Sequence, residues 1–189
     1  MRDITHLKWI SDFCDIDARL IVKLVQFTAI EGATLDRACF ISEDEAEALV
    51  TELRYQISRG GLALIGETDG GNIVLFCMMI RSETPTCHHR AEVSKLAVHP
   101  AYRDQNIVLR AVRQIVVKAD ALGIEQLFLH VREGSPTHLL WERFGFKSYG
   151  VLDDYARVGA KIYRGHFLQQ SVWALRTRVF KTTQCASRT

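Results

Sequence analysis

Val93-Ser94-Lys95-Leu96-Ala97-Val98-His99-Pro100-Ala101-Tyr102-Arg103-Asp104-Gln105-Asn106-Ile107-Val108 is the stretch whose reading decides the fold. It opens on an apolar strand, breaks at His99-Pro100, turns through Arg103 and enters an amphipathic helix at Ile107. A helix N-terminus presents free N–H groups and partial positive charge, so a strand–turn–helix passage of this kind suits a pyrophosphate. Glycines normally let the backbone of such a turn approach its ligand closely. Here Asn106 and Val108 stand where glycines are expected, and Asp104 adds a negative charge beside them. Asparagine tolerates a left-handed backbone, so Asn106 is expected to keep the turn's geometry. Val108 is expected to crowd the space a phosphate would use. Asp104 is expected to repel a phosphate, by less than ~1 kcal/mol at an exposed position.

Outward from this stretch the chain reads as mixed α/β. Ile4 to Ile10 forms a first strand, and Asp15 to Ala29 a helix with a broad apolar face. Glu31 to Phe40 reads as a loop. Ser42 with Glu45 is a capping box opening a helix that runs through Ser58. Leu62 to Glu67 and Asn72 to Arg81 flank Thr68-Asp69-Gly70-Gly71, a hairpin signal. The helix from Ile107 to Leu122 carries Leu109, Val112, Ile115, Val116 and Ala119 at helical spacing and stops at Gly123. Gln126 to Val131 is a strand. Ser135 and Pro136 cap and open a further helix, and Gly145-Phe146 leads into another strand. Phe167 to Leu175 reads as the last strand, and 181–189 as a polar tail beyond a single domain spanning 1–180.

Composition sets the bounds. A chain of 189 residues suits one domain. Its net charge of +2, from 24 basic and 22 acidic side chains, calls for neither nucleic acid nor a membrane surface as partner. Five cysteines at long, irregular spacings form neither a zinc site nor a redox pair. Cys87, His88 and His89 are adjacent, and neighbours on an extended chain face opposite ways, so no metal is expected. Reduced thiols and a start without a signal-like apolar stretch give the expectation of a soluble, cytoplasmic protein.

Leu96-Ala97-Val98-His99-Pro100, the Arg103 turn with its helix, and Trp141-Glu142-Arg143-Phe144-Gly145-Phe146 occur in the order and spacing of one family. On these marks the chain resembles the GNAT acetyltransferase superfamily over Ile4 to Leu175. Arg90 to Leu96 is similar to the tabtoxin-resistance type of small-molecule acetyltransferase. The resemblance implies a twisted, mixed but mostly antiparallel sheet flanked by helices, with a splayed central strand pair. It implies acetyl-CoA, or another acyl-CoA, as co-substrate in the wedge between the strands ending at Val98 and Val131, and no metal. Leu96, Ala97 and Val98 would hold the acetyl and pantetheine portion. The turn Arg103, Asp104, Gln105, Asn106, Ile107 and Val108 would hold the pyrophosphate, in a degenerate form of the family's glycine-bearing turn. Trp141 replaces the tyrosine that serves the family as general acid, and an indole N–H is no proton shuttle at neutral pH.

The reaction implied is direct attack of a small-molecule amine on the thioester, which needs a base and an acid. Glu92, on the strand lining the acceptor side, is the expected base, a role that would need its pKa raised by partial burial. His130 is a second candidate base. His138, three residues before Trp141, is the candidate acid. Asp154 and Tyr155, with Asp153, are placed in the connection before the last strand, where the carboxylates would attract a cationic amine. Lys95 reads as a salt-bridged surface lysine. Arg110 and Arg113 are placed to reach the phosphates. Two other readings stand beside this one. One is a degenerate member that binds CoA or a regulatory partner protein without turnover; the other is an acyltransferase fed by an acyl-carrier protein. A homodimer is common in the family.

Overall fold

The computed structural model describes residues 4–30, 42–103, 106–158 and 160–181. The elements run β1 (Ile4–Ile10), α1 (Asp15–Ile30), α2 (Glu43–Ser58), β2 (Leu62–Thr68), β3 (Ile73–Arg81), β4 (Arg90–Val98), α3 (Ile107–Ala121), β5 (Gln126–Arg132), α4 (Pro136–Arg143), β6 (Lys147–Val158), β7 (Lys161–Ser171) and α5 (Val172–Lys181). Local chemistry starts and stops them. The Ser42 hydroxyl accepts the Glu45 N–H at 3.2 Å while the Glu45 carboxylate accepts the Ser42 N–H at 2.9 Å, closing the capping box of α2. The Ser135 hydroxyl accepts the His138 N–H at 3.1 Å, and Pro136 occupies the first position of α4. Gly123 ends α3 in the left-handed region, at φ 67°.

The strands form one sheet in the order β1-β2-β3-β4-β5-β7-β6. Every neighbouring pair is antiparallel except β4 with β5, which is parallel. This is the mixed, mostly antiparallel sheet expected. Its two faces carry separate cores. On one, Leu75, Cys77 and Met79 of β3 pack with Ile115 and Val116 of α3, Trp141 of α4 and Leu175 of α5. On the other, Phe76 and Met78 pack with Ile21 and Leu24 of α1 and Leu49 and Leu53 of α2. β3 is therefore apolar along its length because both its faces are covered.

Burial pushes the Cys77 thiol up to about 12, and its sulfur lies 3.6 Å from the carbonyl oxygen of Ser94. In the native protein at pH 8, Cys77 is expected to escape alkylation while exposed Cys14 reacts. Mass spectrometry of labelled peptides checks this, and labelling of native Cys77 would mean that β3 opens.

Two expectations are corrected. The strand anticipated over Phe167 to Leu175 ends at Ser171, and a helix follows. The Ser171 hydroxyl accepts the Ala174 N–H at 3.2 Å, and Val172, Leu175 and Val179 recur at helical spacing and are buried. Asp153, Asp154 and Tyr155 lie within β6 rather than in a connection before the last strand. The loop expected over Glu31 to Phe40, and all but the first residue of the tail expected over 181–189, lie outside the described residues. Among the described residues no helix is long and apolar enough to cross a membrane.

Candidate active site

The site begins with one residue too many in β4. Met78 pairs with Ser94 and Phe76 with Ala97, so β4 holds an extra residue between those pairs. Lys95 sits there at φ 54°, a left-handed conformation rare for a non-glycine residue and typical of a bulge. Its ammonium is anchored 3.0 Å from the Glu52 carboxylate of α2, the surface pairing expected of it. A bulge bends its strand. β4 and β5 accordingly pair only at Arg90, Ala91 and Glu92 with Gln126, Leu127 and Phe128, although both strands continue. From Val93 onward the β5-facing edge of β4 has no strand beside it.

The resulting wedge is lined by Val93 to Leu96, by Leu129 to Arg132, and by Ser135, Thr137 and Trp141. Trp141 is 3% exposed and packs edge-on to Phe146, so the residue replacing the family tyrosine is a wall of the wedge. The Ser94 hydroxyl oxygen is buried there without a hydrogen-bond partner. An unsatisfied buried hydroxyl is costly, and a polar ligand entering the wedge removes that cost.

Beyond β4, the His99 imidazole Nδ1 accepts the Ala101 N–H at 3.2 Å and shapes the single helical turn Pro100–Tyr102. Arg103 is extended, and Asn106 stands at φ 55° as the residue preceding α3, in the left-handed region its amino-acid type tolerates. Asp104 and Gln105 lie outside the described residues. Ile107 is buried in the core, and half-buried Val108 packs against the same core. The first N–H groups of α3 have no helical partner, which is the condition for binding an anion.

Three anticipated residues meet at His130, which lines the wedge. The His130 Nε2 lies 3.2 Å from the Glu92 carboxylate, and its Nδ1 lies 2.6 Å from the Tyr155 hydroxyl. With a hydrogen on Nε2, on the side of the Glu92 carboxylate, Nδ1 accepts from the phenol. Glu92 is thus positioned to orient His130 and to stabilise its protonated form, rather than standing alone as the base.

Other anticipated residues are placed differently. His138 is not among the residues lining the wedge. Its Nδ1 accepts the Gly134 N–H at 3.2 Å, its Nε2 lies 3.6 Å from Glu142, and its ring lies tilted against that of His166 with centroids 4.5 Å apart. Thr137 and Trp141, one helical turn apart, take the wedge-facing side of α4 and leave His138 on the next. His166 in turn bonds Glu133; that bond, with the charge of Arg164, holds the Glu133 carboxyl below the usual carboxylate range. Asp154 bonds Arg157 and Asp153 bonds Arg164, each at 2.9 Å, so each carboxylate already has a cationic partner. Arg113 donates to the Val179 carbonyl at 3.0 Å and lies over the Phe180 ring, engaged by α5 instead of turned to a phosphate.

Ser94, Thr137 and the Lys95 bulge were not anticipated as parts of the site. Nothing local marks a bulge at a lysine. Among the described residues no group of three His, Cys, Asp or Glu side chains is placed to hold a metal ion.

Residues 31–146 match the family model of the acetyltransferase (GNAT) family. No curated protein sequence matches the chain. Among solved structures, the chain is similar to a phosphinothricin acetyltransferase from Sinorhizobium meliloti in complex with acetyl-CoA, at TM-score 0.69 and 16% identity, covering 89% of each chain. It is similar to yncA from Salmonella typhimurium with its cofactor acetyl-CoA, at TM-score 0.66 and 13% identity, covering 89% of this chain and 95% of that one. It is also similar to a ribosomal-protein-alanine N-acetyltransferase from Brucella melitensis, at TM-score 0.70 and 14% identity, covering 88% of this chain and 99% of that one.

Proposed function

This chain belongs to the acetyltransferase (GNAT) family, and we propose that it is an acetyl-CoA-dependent N-acetyltransferase of small-molecule amines. The observation that carries the reading is the Glu92–His130 pair at the point where β4 and β5 part. The likeness of Arg90 to Leu96 to small-molecule acetyltransferases supports the acceptor class.

The residues present fit the co-substrate. The unpaired edge of β4 from Val93 to Val98, with the Ser94 hydroxyl, would hold the pantetheine and acetyl portion against Trp141. The N-terminus of α3, entered through left-handed Asn106, would face the pyrophosphate, with Arg103 beside it. Bound there, acetyl-CoA supplies an acetyl thioester. His130 then accepts the proton that the attacking amine loses, and Glu92 stabilises the imidazolium across Nε2. No tyrosine stands at Trp141, so water supplies the proton of the departing sulfur.

Calorimetric titration of the full chain with acetyl-CoA tests the reading, and saturable binding is expected. The absence of heat at millimolar acetyl-CoA would overturn it. Within the same titration Asn106→Gly is expected to leave the Kd within about threefold, because glycine also accepts a left-handed backbone. Asn106→Val forces a branched residue there at ~1–2 kcal/mol, weakening binding by about tenfold. Equal affinities for the two variants would show that the turn does not bind the co-substrate.

A further inference from the structure

Tyr155 is held over the sheet by an arrangement with no evident purpose in the fold alone. In the β6–β7 ladder Leu152 pairs with Gly165 and Ala156 with Tyr163, so Asp153, Asp154 and Tyr155 stand opposite the single residue Arg164. Ion pairs fix both shoulders of this bulge: Asp153 to Arg164 across the ladder, and Asp154 to Arg157 along the strand. The guanidinium of Arg157 keeps the Asp154 carboxyl below the usual carboxylate range, so the clamp persists through the neutral pH range.

Gly165 supplies the seat. A Cβ built on it would lie 2.1 Å from Cγ of Tyr155 and 2.3 Å from Cδ2. The phenol ring therefore rests on the bare backbone of β7, closer than any side chain permits. Gly165 is not among the glycines with positive φ, so the position uses the missing side chain and not the backbone freedom of glycine. It pairs with Arg132 of β5 on one side and Leu152 of β6 on the other. Glycine weakens a strand interior and often marks a close approach, which here is the Tyr155 ring.

From this seat the Tyr155 hydroxyl reaches Nδ1 of His130. Both imidazole nitrogens are then engaged, Nε2 by Glu92 and Nδ1 by the phenol. On the Nδ1 side the phenol oxygen is the group placed to pass a proton to His130. We infer that Tyr155 is the proton-entry group of the site and that Gly165 is the positioning residue that seats it. This rests on the acetyltransferase reading above. As the N–C bond forms and the C–S bond breaks, the Tyr155 oxygen takes one proton from the amine nitrogen and passes its own to Nδ1. The imidazolium is held against Glu92 and afterwards returns its proton to solvent through the same hydroxyl.

The experiment uses the full chain with acetyl-CoA and a panel of primary amines, reading thiol release, together with ¹⁵N NMR of the histidine rings. Tyr155→Phe is expected to lower kcat by about 100-fold with the acetyl-CoA Kd unchanged. Gly165→Ala is expected to lower kcat comparably, and the double variant to be no slower than Tyr155→Phe, because Gly165 acts only through Tyr155. Both single variants should move the His130 Nδ1 resonance, which a purely structural role for Gly165 would leave in place. Full kcat in Tyr155→Phe, additive losses in the double variant, or an unmoved Nδ1 resonance would each overturn the inference. Should Gly165→Ala fail to fold, Tyr155→Phe alone decides through kcat and the resonance. Should the unaltered protein turn over none of the amines, the acetyltransferase reading falls, and the resonances still test the seat by themselves.

Discussion

His130→Phe is expected to lower kcat by about 10²–10³-fold while leaving the acetyl-CoA Kd within about twofold. Phenylalanine keeps a planar ring beside Tyr155 and Phe167, whose centroids lie 5.7 and 6.0 Å from that of His130. The substitution removes both nitrogens and little packing. The loss should therefore fall on proton transfer, not on folding or co-substrate binding. Glu92→Gln should cost less, about tenfold in kcat, because an amide oxygen can still face Nε2 but no longer balances the imidazolium charge. Steady-state kinetics beside calorimetry separate the two quantities. Undiminished kcat in His130→Phe would remove the imidazole from the mechanism. A parallel collapse of acetyl-CoA affinity would assign it to binding.

Phe76→Ala is expected to destabilise the fold by about 3–5 kcal/mol, lowering Tm by about 10 °C. Phe76 is 1% exposed, lies in the central part of β3 and meets the Phe13 ring at a centroid distance of 6.3 Å. Its neighbours in the second core come from α1, α2 and the sheet, elements that cannot converge on the vacated volume without leaving their own contacts. Thermal denaturation followed by circular dichroism measures the change. A loss below about 1 kcal/mol would mean that the helical layer over this face slides freely on the sheet.

The elements most legible in the sequence are those governed by contacts within a few residues. Ser42 with Glu45, Ser135 with Pro136, Gly123, and the Asp69-Gly70-Gly71 turn each act through bonds or dihedral angles spanning at most four positions, and each stands where its chemistry places it. The join of β7 to α5 was not legible, because no proline or glycine separates them and the apolar residues Phe167, Leu168, Val172, Trp173 and Leu175 suit either conformation. His138 shows a similar limit. Its position near Trp141 was plain, but a step of one residue turns a helix by about 100° and places it on another face.

The passage from Val93 to Val108 is informative in both respects. By itself the sequence determined that a strand there gives way to a turn and a helix N-terminus, and that Asn106 can take the left-handed conformation it adopts. Those are local steric and dipolar properties, carried by the residues wherever they fold. It also supplied Glu92, His130 and Tyr155 as separate candidates. Only the tertiary structure decided that carboxylate, imidazole and phenol meet in one line of contacts. That decision depends on three non-local events: β4 and β5 parting at the Lys95 bulge, β6 looping out opposite Arg164, and Gly165 leaving room for a ring from another strand. Each joins residues distant in the chain, and register and strand order, which no local preference encodes, determine whether they meet.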